Sequence, residues 1–208
     1  MTGRGLLVIA ALAAAAGAGA YAWRLQTQSP PPPPPPAPAP PATLVETVPA
    51  ITLADRDGQP RSLADWSGKA LIVNFWATWC APCRKEIPLL QELQRERAGE
   101  GFQVIGIAVD FREKVLAYAD EMKIEYPLLI GEQDALDAAS AFGVDAVGFP
   151  FTIFTDTRGR VVVAHLGELT RPQADLILGA VREISAGRQS LAGGREAIRQ
   201  GLAGIEGH

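Results

Sequence analysis

Residues that bind metals are scarce in this chain. Its 208 residues include two cysteines, Cys80 and Cys83, and two histidines, His165 and His208. A structural zinc site usually takes four Cys or His ligands, and His208 stands at the last position, far from the others. We therefore expect no metal site. For His165, packing or surface exposure is the main expectation, and copper ligation is the alternative.

Clusters of basic residues are also missing. The 19 Lys and Arg residues are outnumbered by 23 Asp and Glu residues, which gives a net charge of −4 at neutral pH. Binding to nucleic acid normally requires Lys and Arg side chains grouped along one surface, where they neutralise phosphates. We therefore expect no nucleic-acid partner.

The two cysteines form a Cys-x-x-Cys motif between a predicted strand and a predicted helix. Before the motif, residues 70–76 (ALIVNFW) are a short, continuous apolar run of the kind that forms a buried strand. After it, Ile87, Leu90 and Leu93 recur at helical spacing among charged residues. A Cys-x-x-Cys that ends a strand and opens a helix indicates redox chemistry.

The predicted helix start would activate the first cysteine. A helix N-terminus presents unpaired N–H groups and a partial positive charge, and both stabilise a thiolate. Pro82 suits the first turn, and Arg84 and Lys85 add positive charge. We therefore predict that Cys80 is the attacking thiolate and Cys83 the resolving thiol, with their redox-active disulfide in place of any separate cofactor. A purely structural disulfide is a weaker interpretation, because so small a loop contributes little stabilisation.

The segment from Asn74 to Pro88 (NFWATWCAPCRKEIP) resembles the active site of the TlpA/ResA group of membrane-tethered thiol–disulfide oxidoreductases. The resemblance covers about residues 45–185. It implies an α/β, thioredoxin-like fold with an extra N-terminal β-hairpin and a central βα insertion at residues 110–143. The alternation of strands and helices also predicts a largely parallel sheet. Peroxiredoxins have a proline shortly before their catalytic cysteine, and residues 77–79 contain none, so we do not expect a peroxidase.

The resemblance also implies roles for residues around the cysteine pair. Pro150 would be a cis-proline that faces the Cys-x-x-Cys across the active site. Phe149, just before it, would border the substrate groove. Trp79 would contribute to substrate binding and, together with Trp76, would cover the disulfide.

Glu86 is the predicted proton-handling group. It follows Cys83 by three residues, one helical turn away, and matches a glutamate of the ResA-like active site. Thioredoxin has a buried aspartate where this chain has Asn74, and an amide cannot accept the proton of Cys83. The alternative is that Glu86 is a solvated carboxylate beside Lys85.

Shifts in composition divide the chain into four parts. Residues 1–24 contain an uncharged run, 6–23, that indicates either a retained signal-anchor or a cleaved signal peptide. Residues 25–42 form a proline-rich linker of the polyproline II type. Residues 43–187 make the thioredoxin-like domain, and we assign no role to the glycine-containing tail at 188–208. Either interpretation of the N-terminus exports the domain, as an inner-membrane protein facing the periplasm or as a soluble periplasmic one.

These observations favour an envelope enzyme that reduces particular protein disulfides. The resemblance suggests apocytochrome c, or the copper-site cysteines of an oxidase, as substrates, and an integral-membrane thiol donor of the DsbD/CcdA type as the source of electrons. A disulfide oxidase or isomerase of the DsbA kind is the first alternative, although that class tends to carry a histidine between its cysteines. A copper-binding metallochaperone is the second alternative.

Overall fold

The structure is a computed structural model that describes Trp23 and residues 45–144 and 148–206. The predicted anchor at 1–24, apart from Trp23, and the predicted linker at 25–42 lie outside the described residues. Within the ranges that are described, no helix is both long enough and apolar enough to cross a membrane.

The strands of the described residues form one seven-stranded sheet. Their order across the sheet is β2-β1-β5-β4-β3-β6-β7. The strands are β1 Thr52–Asp55, β2 Pro60–Ser62, β3 Ala70–Trp76, β4 Phe102–Val109, β5 Leu128–Gly131, β6 Phe151–Thr155 and β7 Val161–Leu166. The predicted thioredoxin-like fold is confirmed, and the predicted N-terminal hairpin corresponds to β1 and β2.

The prediction of a largely parallel sheet is wrong. Strand β4 runs parallel to both β3 and β5, but every other neighbouring pair in the sheet is antiparallel. The physical reason lies in the connections. Short turns join β1 to β2 and β6 to β7, and only antiparallel neighbours can be joined in this way.

Helices and apolar side chains cover both faces of the sheet. The helices are α1 Ala81–Arg97, α2 Arg112–Glu121, α3 Gln133–Ala141, α4 Arg171–Ser185 and α5 Leu191–Glu206. Side chains of β3 alternate between two buried clusters, because successive residues of a strand point to opposite faces. Ile72 and Trp76 join the cluster that contains residues of α1, α2 and α4, whereas Val73 and Phe75 join the cluster that contains residues of α3.

The C-terminal tail, for which the sequence suggested no role, forms helix α5 and packs against α4. Two glycines permit the close approach. A Cβ atom added at Gly194 would lie 2.7 Å from Ile184 Cγ1, and one added at Gly201 would lie 2.6 Å from Leu176 Cδ2. Arg195 then donates hydrogen bonds to two carbonyl oxygens of the edge strand β7, at 2.6 and 3.2 Å. The packed structure therefore continues beyond residue 187, the predicted end of the domain.

Candidate active site

The two cysteines are joined by a disulfide at the start of α1, with their Cα atoms 5.3 Å apart. Cys80 is the N-cap residue of the helix, and its Sγ accepts a hydrogen bond from the backbone N–H of Cys83 at 3.2 Å. Cys83 is completely buried, whereas Cys80 retains 5% of its surface exposure. Cys80 is therefore the more exposed of the two residues.

The first turn of α1 carries positive charge. Pro82 lies in this turn, which contains no acidic residue, and Arg84 and Lys85 follow it on exposed positions. The Lys85 ammonium lies 3.9 Å from a carboxylate oxygen of Glu168. In the reduced protein, the N-terminal end of the helix and these cations favour the thiolate of Cys80 over its thiol.

Glu86 lies one turn further along α1 and is buried, with 1% of its surface exposed. Its Oε1 accepts a hydrogen bond from Asn74 Nδ2 at 2.7 Å, and its Oε2 accepts one from the backbone N–H of Leu169 at 2.9 Å. Burial raises the pKa of Glu86 to about 7, although both hydrogen bonds oppose the rise. Glu86 is thus no solvated surface carboxylate, and its pKa suits a group that exchanges protons near neutral pH.

Asn74 connects Glu86 to the sheet. It lies in β3 with no exposed surface, and its Nδ2 also donates to Thr152 Oγ1 in β6 at 3.0 Å. The amide occupies the place of thioredoxin's aspartate, as the sequence predicted, but it takes part in the site as a donor that orients the Glu86 carboxylate.

The predicted substrate-binding residues lie together beside the disulfide. The peptide bond between Phe149 and Pro150 is cis, as predicted. The Phe149 ring lies 5.9 Å from the ring of Trp79, centroid to centroid. Trp79 is 68% exposed, whereas Trp76 is completely buried. Trp79 is therefore accessible from solvent, whereas Trp76 belongs to the same buried cluster as Cys80 and Cys83, beneath the disulfide.

Two further apolar residues at this end of the sheet were not identified from the sequence. Phe111, just after β4, and Leu166, at the end of β7, are 53% and 67% exposed. Leu166 pairs with Phe151, the residue after Pro150, in the β6–β7 ladder. The sequence contained an indication of both positions. Phe111 closely follows the apolar strand β4 and Leu166 ends the apolar strand β7, and these strand ends lie at the same end of the sheet as the cysteine motif.

The loop between β3 and α1 is tied to the neighbouring strand. Thr78 donates a hydrogen bond from its hydroxyl to Asp110 Oδ2, and Asp110 Oδ1 accepts one from the backbone N–H of Phe111 at 2.8 Å. The Asp110 side chain is 4% exposed. One buried carboxylate therefore connects the segment that carries Trp79 to the segment that carries Phe111.

His165 lies in β7 and is largely buried. Its Nε2 is 3.4 Å from the carbonyl oxygen of Glu168. Among the residues that the structure describes, no group of three or more His, Cys, Asp or Glu side chains could hold a metal ion. The burial of His165 in β7 is the packing position expected for it.

Known proteins resemble this chain over most of the folded region. The AhpC/TSA family matches residues 44–164. Thioredoxin-like protein YneN of Bacillus subtilis (strain 168) is 31% identical over 136 residues, which cover 62% of this chain and 75% of that protein. The thiol-disulfide oxidoreductase ResA of Geobacillus thermodenitrificans (strain NG80-2) is 31% identical over 126 residues, which cover 60% of this chain and 70% of that protein.

A solved structure supports the same assignment. A thiol:disulfide interchange protein of the thioredoxin family from Chlorobium tepidum TLS is 30% identical and superposes with a TM-score of 0.54. The match covers 80% of this chain and 99% of that protein. The Cys80–Cys83 disulfide lies at the start of a helix that follows the central strand β3. The chain therefore belongs to the AhpC/TSA family, and within it to the thioredoxin-like thiol–disulfide oxidoreductases that resemble ResA.

Proposed function

We propose that this protein reduces specific protein disulfides in the cell envelope. The observation that carries the proposal is the disulfide at the start of α1, in which Cys80 is partly accessible and the buried Glu86 lies one turn behind Cys83. This arrangement provides an attacking sulfur, a resolving sulfur and a proton acceptor in sequence along one helix.

The reduced protein starts the reaction. The Cys80 thiolate attacks one sulfur of the partner's disulfide, so that a mixed disulfide forms and the other partner sulfur leaves as a thiolate, which takes a proton from solvent. Cys83 then transfers its proton to the Glu86 carboxylate and attacks the Cys80 sulfur. The second partner sulfur leaves as a thiolate, and the chain is left with the Cys80–Cys83 disulfide seen in the structure. Two electrons have passed from this dithiol to the partner.

The protein must be reduced again after each cycle. We propose an integral-membrane thiol donor of the DsbD/CcdA type as the source of the two electrons. A periplasmic domain held at the inner membrane by residues 1–24 would meet such a donor, and a soluble periplasmic form is the alternative. We propose that its substrates are apocytochrome c, in cytochrome c maturation, or the copper-site cysteines of an oxidase, as the resemblance of residues 74–88 to the TlpA/ResA group suggests.

The apolar surface around Cys80 supports a protein substrate. Of the described residues, Trp79, Phe111 and Leu166 are the large exposed apolar ones at this end of the sheet, and Phe149 contacts Trp79. Apolar side chains grouped around a reactive centre commonly mark a protein-binding surface. We propose that these four residues hold the cysteine-bearing segment of the partner during the attack.

Trapping of the mixed disulfide tests the mechanism. In the Cys83→Ser variant, Cys80 can still attack, but the partner cannot be released, so non-reducing gels of cells should show covalent adducts. The Cys80→Ser variant is the matched control and should form none. Absence of adducts with folded Cys83→Ser protein present would contradict the mechanism.

The reduction potential decides the direction of electron flow. A reductase is expected near −270 mV, the value of thioredoxin, whereas a strong oxidant of the DsbA kind lies near −120 mV. Equilibration of the oxidised protein with glutathione buffers measures the potential. A value close to that of DsbA would contradict the proposed reduction and favour the reverse reaction, in which a thiolate of the partner attacks the Cys80 sulfur of the disulfide and Cys83 leaves as a thiolate.

A further inference from the structure

Three polar atoms in the layer beneath the disulfide are buried and unpaired. They are Asn74 Oδ1, Trp76 Nε1 and Tyr126 Oη, and they have no hydrogen-bond partner among the residues that the structure describes. A buried polar atom without a partner is energetically unfavourable, so such atoms usually bind an internal water. Three of them in one layer therefore call for a common explanation.

The three side chains approach one another over Gly106. Asn74 and Trp76 are two residues apart in β3 and so point to the same face of the sheet, and Gly106 in β4 is the direct neighbour of Asn74. A Cβ atom added at Gly106 would lie 2.6 Å from Leu128 Cδ2, 3.0 Å from Tyr126 Cε2 and 3.1 Å from Trp76 Nε1. The phenol ring and the indole nitrogen thus flank the same point, and the absence of a side chain at Gly106 makes room for them.

The hydrogen-bonding capacities of the three atoms complement those of a water molecule. The indole N–H can only donate, the amide oxygen can only accept, and the phenol hydroxyl can do either. Internal waters typically make about three hydrogen bonds to otherwise unsatisfied groups. One water could therefore accept from Trp76, donate to Asn74 and bond to Tyr126.

We propose that an internal water bound by Tyr126, Trp76 and Asn74 solvates the active-site glutamate from the inner side of the protein. Asn74 provides the connection, because its Nδ2 donates to Glu86 at 2.7 Å while its Oδ1 is the unpaired acceptor. Tyr126 is then a positioning residue that acts on Glu86 through the water. The inference rests on the proposed function only in that Glu86 exchanges a proton with Cys83.

The electrostatics agree with this arrangement. Tyr126 is 1% exposed, and burial, together with the nearby Glu86 carboxylate, raises its pKa, so the phenol stays protonated and able to donate. Other charged or titratable groups also lie around the site, and Glu168 among them raises the pKa of Glu86; apart from Tyr118, which is replaced in the control, all of them are unchanged in the variants below. They are Tyr118 of α2, Lys85 of α1, and His165 and Glu168 at the end of β7.

Direct detection of the water needs no variant. In the oxidised wild-type protein, NMR cross-relaxation between the Trp76 indole proton and a long-lived water should give a cross-peak, although the indole is completely buried. Absence of that cross-peak would overturn the proposal, because a bound water lies within hydrogen-bond distance of the same proton.

A conservative variant tests the link to Glu86. Tyr126→Phe removes only the hydroxyl, so the water loses a partner and Glu86 loses solvation. The pKa of Glu86, followed by the carbon-13 shift of its carboxyl group in the oxidised protein, should then rise by about half a pH unit or more. Tyr118→Phe is the matched control, because the Tyr118 ring lies 5.8 Å from that of Trp76, and it should leave the titration unchanged.

The outcomes separate this inference from the proposed function. An unchanged Glu86 titration in Tyr126→Phe, or an equal shift in Tyr118→Phe, would overturn the role of Tyr126. Both titrations use the oxidised protein without a partner, so they are independent of electron flow. Loss of mixed-disulfide trapping in Cys83→Ser would contradict the proposed function and leave the internal water in place.

Discussion

Replacement of Glu86 by glutamine should change how the stability of the protein depends on pH. Glu86 is buried, with 1% of its surface exposed. This burial raises the pKa of its carboxyl group from 4.5 to about 7. One pKa unit corresponds to about 1.4 kcal/mol, so ionisation of Glu86 costs the native state about 3 kcal/mol. Glutamine does not ionise, and the variant should be free of this cost.

The sign of the effect follows from the two protonation states. Below pH 4.5 the carboxyl group is neutral in both the folded and the unfolded chain, and its titration contributes nothing. Between pH 4.5 and about 7 the unfolded chain has lost the proton while the folded chain retains it, so the free energy of unfolding falls as the pH rises. Above that range both states are ionised, and the loss of stability is complete.

Urea unfolding of the oxidised protein at a series of pH values measures the effect. The free energy of unfolding of Glu86→Gln, relative to wild type, should increase by up to about 3 kcal/mol between about pH 4 and about pH 8. Glutamine has a single acceptor oxygen for Asn74 and Leu169, but that loss shifts the whole curve and leaves its pH dependence unaffected.

Glu92→Gln is the matched control, because it removes an exposed carboxylate from the same helix. It should keep the wild-type decline in stability between pH 4.5 and about 7. A difference between wild type and Glu86→Gln that stays constant over the pH range would refute the reasoning, since a buried carboxylate with a raised pKa must produce a slope.

Two further substitutions test the contact between α4 and α5 and the hydrogen bond that holds the loop before α1. Gly194→Ala places a methyl group against α4 and should destabilise the protein by about 1–3 kcal/mol in urea unfolding. Gly179→Ala is its control: an added Cβ there meets no described atom within 4 Å, so it should be neutral or stabilising by up to about 1 kcal/mol, and equal effects would contradict the packing argument. Thr78→Val leaves an oxygen of the buried Asp110 without its donor and should cost about 1–3 kcal/mol. Unchanged stability would show that the Thr78 hydroxyl does not hold the loop.

Local patterns were sufficient to predict the cysteine chemistry. Strand β3 is a continuous apolar run, and α1 has apolar residues at helical spacing, so each element follows from residues near in sequence. The resemblance carried by the active-site segment added the cis bond before Pro150, which the structure confirms. Because these elements depend on residues close in sequence, the sequence could predict that Cys80, Cys83 and Glu86 lie at the start of one helix.

The helix of the C-terminal tail was not predicted from the sequence. The sequence assigned the glycine-containing tail no role, and glycine disfavours a helix by up to about 1 kcal/mol per residue relative to alanine. In the folded protein, Gly194 and Gly201 lie against α4, and the close packing of two helices offsets their low propensity. This contribution depends on residues of α4 that are distant in sequence, and no local pattern contains it.

The sequence by itself determined where the cysteine pair lies in the fold, because a Cys-x-x-Cys between a buried strand and a helix needs only short-range order. Only the tertiary structure decided the environment of Glu86. Its two hydrogen-bond donors are Asn74 and Leu169, which lie 12 and 83 residues away in sequence. The pKa of Glu86 depends mainly on burial by residues that are distant in sequence. Desolvation is a property of the assembled core. The sequence could place Glu86 in a helix, but the rise of its pKa to about 7 follows only from the folded structure.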